Sequence, residues 1–198
     1  MIKNVILDIG GVLFDDSNKN LSNIMNKDES EIKDIAKIAF GGTFKKCLIG
    51  EMIVEVHLDN IRKMEIDNKL KEDAMYVVDP KFYNETFPMI KETYEYIKVL
   101  KANGFKIYLL SNITEAAFRY INEIIDLNTF VDGGIYSYMV NTRKPNKDIY
   151  ELLIKKYNLN KEECIFFDDK EINVESANEY GINSYIFKSI EDIKLKVK

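Results

Sequence analysis

Several polar residues in this sequence follow short apolar runs, the arrangement in which a parallel sheet presents side chains to a ligand. The first is Asp8, which comes directly after Val5-Ile6-Leu7 and precedes Gly10-Gly11. An apolar β-branched run of this kind is typical of a strand buried on both faces, and open α/β sheets bind ligands at the carboxyl ends of such strands. The two glycines allow a sharp turn and a close approach of a ligand. Taken alone, the segment is equally well explained as a strand followed by an ordinary turn.

Three later segments favour a ligand-binding site over an ordinary turn at Asp8. Ser111-Asn112 ends the apolar run 106–110, Lys144 follows a short run at 135–138, and Asp168-Asp169 ends Cys164–Phe167. Singly, each has an ordinary explanation: a helix N-cap, a solvated loop lysine and a turn. Together they predict one crevice, because the carboxyl ends of parallel strands lie on the same edge of a sheet.

The elements that must position these residues alternate between strand and helix, which predicts an α/β fold with a Rossmann-like parallel sheet. Strands are expected at 105–110, 135–138, 164–167 and 184–187, with helices at 88–100, 115–125, after 145 through 157, 173–180 and 190–197. Residues 17–85 are instead helical and strand-poor, and Asp28 or Ser30 is expected to cap a helix there. We therefore predict a core domain of residues 1–16 and 86–198 and a helical insertion at 17–85.

Composition excludes several classes of function. The 198-residue chain has a net charge of −5 and a pI of about 5.1, which gives no support for binding nucleic acid or an anionic membrane. It has no apolar run of membrane-spanning length and begins with a strand rather than a signal peptide. Cys47 and Cys164 have no metal-ligand spacing, so we expect free thiols and a cytoplasmic protein. His57 is expected on a helix surface rather than as a catalytic base.

The order and spacing of the polar segments resemble those of the haloacid dehalogenase-like (HAD) superfamily of hydrolases that carry a helical cap. The four segments that carry the resemblance are Asp8-Ile9-Gly10-Gly11-Val12-Leu13, Leu110-Ser111-Asn112, Lys144-Pro145, and Phe166-Phe167-Asp168-Asp169 with Asn173. The resemblance covers nearly the whole chain, and the insertion at 17–85 lies where that superfamily places its cap domain. The sugar-phosphate phosphatase-like branch, whose first motif also reads Asp-x-Gly, is the most similar by pattern.

The resemblance implies a Mg²⁺-dependent phosphatase that acts on a small phosphorylated metabolite such as a sugar phosphate, as a monomer or homodimer. Asp8 would be the nucleophile and would form an aspartyl-phosphate. Mg²⁺ would be held by Asp8, by the main-chain carbonyl of Gly10 and by Asp169, a ligand set that suits this ion.

The resemblance also implies roles for the remaining motif residues. Ser111, with the backbone N–H of Asn112, would hold a phosphate oxygen, and Lys144 would neutralise the phosphate and the nucleophile. Asp168 and Asn173 would support the metal site. Positive charge is needed there, since two unit charges about 4 Å apart repel by roughly 4 kcal/mol at an effective dielectric constant near 20.

One departure from the superfamily lies two residues after the nucleophile, where most of its phosphatases carry an Asp as general acid and base and this chain has Gly10. Such a group typically contributes about 10²–10⁴-fold to the rate. Three hypotheses follow: the substrate has a good leaving oxygen, as in a sugar 1-phosphate; a water, Asp15 or a cap side chain substitutes; or the protein mainly binds. A 2-haloacid dehalogenase and a catalytically silent binding protein remain as alternatives. The loop Gly41–Lys46, with its aromatic and cationic residues, could close over the site, and an ordinary solvated connector between helices explains it equally well.

Overall fold

A five-stranded parallel sheet forms the centre of the protein, and the computed structural model describes residues 1–197. The strands are β1 (Asn4–Leu7), β2 (Lys106–Ser111), β3 (Gly133–Tyr136), β4 (Cys164–Asp168) and β5 (Asn183–Ile186). Their order across the sheet is β3-β2-β1-β4-β5, and every neighbouring pair is parallel. The predicted α/β fold with a parallel sheet is confirmed.

The register of the central strand places its carboxyl end beside those of both neighbours. Leu7 pairs with Leu109 of β2 on one side and with Phe167 of β4 on the other. Asp8 continues this pairing, because its backbone N–H donates to the Phe167 carbonyl at 3.0 Å. The nucleophile candidate therefore lies level with the last residue of β4, Asp168, at the middle of the sheet edge.

Helices cover both faces of the sheet, whose side chains alternate between two hydrophobic clusters. Val5, Leu7 and Phe167 point into one cluster, and Ile6 and Phe166 point into the other. The helices of this part are α7 (Lys91–Ala102), α8 (Glu115–Ile124), α9 (Leu127–Phe130), α10 (Ser137–Val140), α11 (Lys147–Lys156), α12 (Glu171–Tyr180) and α13 (Ile190–Lys196). The short helices α9 and α10 are absent from the sequence prediction, because one turn of helix leaves too few residues for a periodic pattern.

The segment between β1 and α7 is helical, as predicted, and has a hydrophobic cluster of its own. Its helices are α1 (Asn18–Met25), α2 (Glu29–Ala39), α3 (Phe44–Leu48), α4 (Val54–Arg62), α5 (Asn68–Val78) and α6 (Tyr83–Thr86). The buried members of the cluster, such as Ile32 and Ile61, all come from residues 21–78. Asp28 caps α2 in a capping box with Glu31, with hydrogen bonds of 2.9 and 3.0 Å. The division at 17–85 into two domains stays a prediction.

The two passages between the sheet and this helical segment lie side by side. The N–H of Asp15 donates to the Pro88 carbonyl at 2.8 Å, and the N–H of Ile90 donates to the Leu13 carbonyl at 2.9 Å. Phe14 also forms a β-bridge with Met89. The chain therefore leaves and re-enters the core at one place.

The expectation that His57 lies on a helix surface is wrong. Its side chain is fully buried, with Nε2 2.8 Å from the Ala39 carbonyl and Nδ1 2.8 Å from the Thr43 hydroxyl. Burial lowers the pKa of the imidazole, so the neutral ring is favoured. The polarity of histidine predicted exposure, but α4 turns this residue inward, where both ring nitrogens find partners.

Both cysteines are buried free thiols, as expected, and burial raises the pKa of each to about 11. Within residues 1–197, no helix combines the length and the apolar character that crossing a lipid bilayer requires.

Candidate active site

A buried lysine joins two carboxylates at the carboxyl edge of the sheet. Lys144 Nζ lies 2.8 Å from Asp8 Oδ2 and 2.5 Å from Asp168 Oδ2. It also donates to the Leu110 carbonyl at the end of β2, at 2.7 Å. The three charged side chains are almost completely buried. A buried charge is stable only when it is paired and hydrogen-bonded, and here each member supplies that pairing to the others.

The two carboxylates differ in their affinity for a proton. Burial raises the pKa of Asp8 to about 7, against the attraction of Lys144. Burial also opposes ionisation of Asp168, but Lys144, Asn173 and a backbone N–H together hold its pKa below the ordinary value. Asp168 is therefore the permanent counter-ion of the lysine, and Asp8 is the carboxylate that gains most from a further positive charge.

Asp168 is saturated with hydrogen bonds from the first turn of α12. Asn173 Nδ2 lies 2.9 and 3.0 Å from its two carboxylate oxygens, and the Lys170 N–H donates at 2.9 Å. Both hydrogen bonds of the Asn173 side chain go to Asp168 rather than to the adjacent Asp169. The Asn173 amide thus fixes the carboxylate that in turn orients Lys144.

Asp169 is the carboxylate with unused capacity. Its Oδ1 is buried and is the one such side-chain oxygen or nitrogen in residues 1–197 without a hydrogen-bond partner. Oxygen atoms of Asp8, Asp168 and Asp169 lie within 4.8 Å of one another. An orphaned buried carboxylate oxygen costs free energy, and a hard divalent cation bound by carboxylates would remove that cost. The residues present therefore fit a magnesium ion.

Gly11 allows Asp169 to come this close. Its φ is +71°, a conformation that glycine adopts without strain, and a Cβ there would lie 2.6 Å from Asp169 Cγ. The glycine predicted to permit a close approach does so, and the group that approaches is a side chain of the protein.

Ser111 and Asn112 lie at the end of β2, as predicted, and both line the cavity above the sheet edge. The Asn112 side chain forms two hydrogen bonds of 2.8 Å with the backbone N–H and carbonyl of Lys144. Its amide therefore holds the loop that carries Lys144. These contacts explain how a loop residue places its ammonium group beside Asp8.

The space that a side chain at position 10 would fill is taken by Asp16. A Cβ on Gly10 would lie 2.6 Å from Asp16 Oδ2. Asp16 lines the cavity with Gly10, whereas Asp15, the residue considered from the sequence, does not; its Oδ1 accepts from the Ser17 N–H at 2.9 Å. Burial raises the pKa of Asp16. A carboxyl group from further along the same loop thus lies where a side chain at position 10 would begin.

A cavity of about 870 Å³ lies between the sheet edge and the helical segment. Its floor contains Gly10, Ser111, Lys144 and Asp169. Its walls include the following residues of the segment between β1 and α7: Ser17, Asn18, Leu21, Phe40, Phe44, Lys45, Leu48, Val77, Val78, Tyr83, Thr86 and Phe87. The expected loop at 41–46 contributes Phe44 and Lys45, which belong to α3.

Sequence reasoning missed two charged residues of this site, Asp16 and Lys170. Burial lowers the pKa of Lys170, but nearby carboxylates, with Asp16 first, raise it above the ordinary value overall. The fourth motif placed a lysine directly after Asp169, and that adjacency was the available signal for Lys170. For Asp16, the pair of adjacent acids was visible, but not which of the two faces inward.

A family model for haloacid dehalogenase-like hydrolases matches residues 2–181. The chain belongs to this family. It is therefore a HAD-like hydrolase, and the resemblance found in its motifs is confirmed.

Curated relatives of this HAD-like hydrolase include named phosphatases. A D-ribitol-5-phosphate phosphatase of Bacteroides thetaiotaomicron is 26% identical over 196 residues, which cover 93% of this chain and 91% of that protein. The sesquiterpene phosphatase astK of Aspergillus oryzae is 31% identical over 86 residues, or 43% and 44% of the two chains. The match to another relative, the drimenol cyclase drtB of Aspergillus calidoustus, spans only 35% of that protein.

Solved structures share the whole fold. A HAD family enzyme of Bacteroides thetaiotaomicron, crystallised as an Asp-to-Ala mutant with magnesium and inorganic phosphate, covers 100% of both chains with a TM-score of 0.73 and 22% identity. A dehalogenase has a TM-score of 0.72 at 15% identity and covers 100% of this chain and 98% of its own. At these identities the likeness shows the fold alone.

Proposed function

We propose that this HAD-like hydrolase is a magnesium-dependent phosphatase of small phosphorylated metabolites and acts through an aspartyl-phosphate. The observation that carries the proposal is the unpartnered Oδ1 of Asp169, a residue that lines a large cavity and has a carboxylate oxygen within 4.8 Å of one of Asp8. The named phosphatases among the relatives support it. A cytoplasmic location and a monomeric or homodimeric state stay predictions.

Asp8 is the nucleophile. A carboxylate oxygen of Asp8 attacks phosphorus, the bond from phosphorus to the ester oxygen breaks, and the alcohol leaves with a proton. Water then attacks the same phosphorus, the aspartyl–phosphorus bond breaks, and the products are inorganic phosphate and the free carboxylate. Oδ1 already accepts from the Ile9 N–H at 2.6 Å, so the carboxylate plane is fixed before substrate arrives.

Lys144 and the end of β2 stabilise charge on the transferring group. The ammonium group of Lys144 contacts Asp8 Oδ2 at 2.8 Å and stays next to the phosphoryl oxygens during transfer. Ser111 and the backbone N–H of Asn112 bind another phosphoryl oxygen. Donors fixed in advance in a site of low polarity are worth more than the same donors in water.

Asp8, the Gly10 carbonyl and Asp169 would hold Mg²⁺. When bound, the ion neutralises the repulsion between the carboxylates and the phosphate and polarises the phosphoryl group. Asp168 stays with Lys144 and Asn173 and supports these ligands.

Asp16 is the group placed to give a proton to the leaving oxygen and to take one from the attacking water. Its carboxylate fills the position left by the absent side chain of Gly10 and borders the same cavity. This placement supports the second of the three hypotheses on the missing acid, with Asp16 in place of Asp15.

Release of inorganic phosphate from acetyl phosphate and from an aryl phosphate tests the proposal. We expect release that requires Mg²⁺, that Asp8→Asn abolishes, and that Asp34→Asn, a matched change at an exposed helix position, leaves unchanged. Release of chloride from a 2-haloacid without Mg²⁺ would favour a dehalogenase. If the protein is folded but releases neither phosphate nor chloride, the remaining alternative is a binding protein without catalytic activity.

Asp16→Asn tests the proton-transfer role, with Asp15→Asn as its matched control. Acetyl phosphate has a good leaving group, so its hydrolysis should change little; a primary alkyl phosphate, which needs the proton, should slow by about 10²–10⁴-fold. Equal effects of Asp16→Asn on the two substrates would contradict the assignment, as would an equally selective effect of Asp15→Asn.

A further inference from the structure

The cavity above the active site is polar at its floor and apolar on the side of the helical segment. The floor holds Asp16, Asp169, Lys144 and Ser111. The opposite wall is built mainly of apolar side chains from α1, α3, α5 and the turn after α6, including Leu21, Phe44, Leu48 and Val78. A ligand that places a phosphate on the floor must extend its remaining atoms along this wall.

Aromatic packing fixes part of the wall. Phe44 packs edge-on against Phe40 with ring centroids 5.3 Å apart, and Phe87 stacks on Phe14 at 5.1 Å. Each of these rings is held by a neighbouring ring, so the apolar surface is in place before a ligand arrives. Binding to a preformed apolar wall avoids the cost of ordering it.

Two hydroxyl groups of the same wall are already engaged in hydrogen bonds within the protein. Ser17 accepts from the Asn20 N–H at 3.1 Å as the N-cap of α1, and the buried Thr86 hydroxyl donates to the Phe82 carbonyl at 3.1 Å. Asn18 and Lys45 also line the cavity and are exposed. Hydroxyl groups of a ligand placed against Leu21, Phe44, Leu48 and Val78 would lose water without gaining partners, which is unfavourable.

We infer that the substrate of this site is the monophosphate of an apolar alcohol, with an alkyl chain or aromatic ring against the wall formed by Leu21, Phe44, Leu48 and Val78. The inference rests on the proposed phosphatase function and narrows it. It departs from the sugar phosphate suggested by the sequence pattern, because motif residues set the chemistry at the floor and carry no information about the wall.

Two matched substrates give the first test. Pentyl phosphate and a pentitol 5-phosphate have the same chain length and both release a primary alcohol, so they differ in the hydroxyl groups along the chain. We expect kcat/KM for pentyl phosphate to be higher by at least about tenfold, from the cost of desolvating hydroxyls without partners. Equal values, or a higher value for the pentitol phosphate, would overturn the inference.

Binding of alkylphosphonates gives a second test that does not depend on turnover. With Mg²⁺ present, affinity measured by calorimetry should rise from methyl- to pentylphosphonate by up to about fourfold per methylene. The heat-capacity change should become more negative along the series. A flat series would refute an apolar wall, whether or not the protein hydrolyses phosphates.

Variants locate the effect. Phe44→Ser and Leu48→Ser should each lower the ratio of kcat/KM for pentyl phosphate to that for acetyl phosphate, which is too short to reach the wall. Phe130→Ser, at a ring that stacks on Tyr94 outside the cavity, should leave the ratio unchanged. If a variant loses turnover, the alkylphosphonate series measured on it still reports binding to the wall. If affinity rises with chain length as steeply in both wall variants as in the wild type, the ligand chain does not lie against Phe44 and Leu48. If the wild type does not hydrolyse acetyl phosphate, the phosphatase proposal is contradicted. The phosphonate series would still decide which class of ligand the cavity binds.

Discussion

Replacing Lys144 with methionine removes the cation from a buried group of charges while keeping a side chain of similar length. The ammonium group has three partners within 2.8 Å: Asp8 Oδ2, Asp168 Oδ2 and the Leu110 carbonyl. The variant leaves two carboxylates in an apolar surrounding without their counter-ion. Both the stability of the fold and the proposed chemistry should suffer.

The separations set the size of the effect. At 2.8 and 2.5 Å, with an effective dielectric constant near 20, the two attractions amount to about 6 and 7 kcal/mol. Desolvation of the three charges offsets most of this sum, and removing one partner of a buried pair typically costs about 3–5 kcal/mol. We expect Lys144→Met to lower the free energy of unfolding by that amount near pH 8.

Urea unfolding at several pH values is the assay. The deficit should shrink as the pH falls from 8 towards 5, because protonation of Asp8 or Asp168 in the variant removes the unpaired charge. In the wild type, folding lowers the pKa of Asp168. Its contribution to the free energy of unfolding is therefore present above the unfolded pKa and is lost as the pH falls through the folded pKa. Lys147→Met, at an exposed position of α11, should change stability by less than about 0.5 kcal/mol.

A double-mutant cycle identifies the partner. Lys144→Met combined with Asp168→Asn should recover part of the stability lost by Lys144→Met, because the amide carries no charge to leave unpaired. A deficit below about 1 kcal/mol for Lys144→Met, or strictly additive effects of the two changes, would refute the account of a mutually dependent buried cluster.

Two further predictions concern the positions of a glycine and a histidine. Gly11→Ala should weaken Mg²⁺ binding measured by calorimetry, because the added Cβ would displace Asp169. Gly104→Ala is the control: it has a comparable backbone strain, at φ +88°, but no atom lies within 4 Å of its Cβ. This control should lower the free energy of unfolding by about 1–2 kcal/mol without changing the affinity for Mg²⁺. Equal metal affinities in the two variants would argue against the contact. His57 has a lowered folded pKa, so the stability that it confers is present above the unfolded pKa of about 6.5 and is lost as the pH falls, by at most about 1.4 kcal/mol per pH unit. His57→Gln should remove this slope between pH 7 and 5 in urea unfolding, and an unchanged slope would assign it to other groups.

The sequence was sufficient to predict the sheet and the residues at its edge because their signals are local. A buried strand requires a continuous apolar run, and a polar residue directly after it must lie at the carboxyl end. Asp8, Ser111 and Asp168-Asp169 all follow this rule, and the register of β1 with β2 and β4 brings them together.

Other parts of the site depend on contacts between distant segments and have no local signal. Which of Asp15 and Asp16 faces the cavity is decided by how the chain passes from β1 to α1. The hydrogen bonds from Asn173 to Asp168 depend on how the first turn of α12 packs against the end of β4. His57 was misplaced for the same reason, since the groups that satisfy it belong to the end of α2 and the turn before α3. The roles of these residues in catalysis stay predictions.

The side-by-side passages at Leu13–Asp15 and Pro88–Ile90 have a consequence for how activities diversify on this scaffold. Because the outgoing and returning backbones are hydrogen-bonded to each other, the chain from α1 to α6 is inserted into the core at a single place. Changes in the length or sequence of the helical segment can therefore alter which molecule enters the cavity. The strands at the sheet edge that carries Asp8 keep their register.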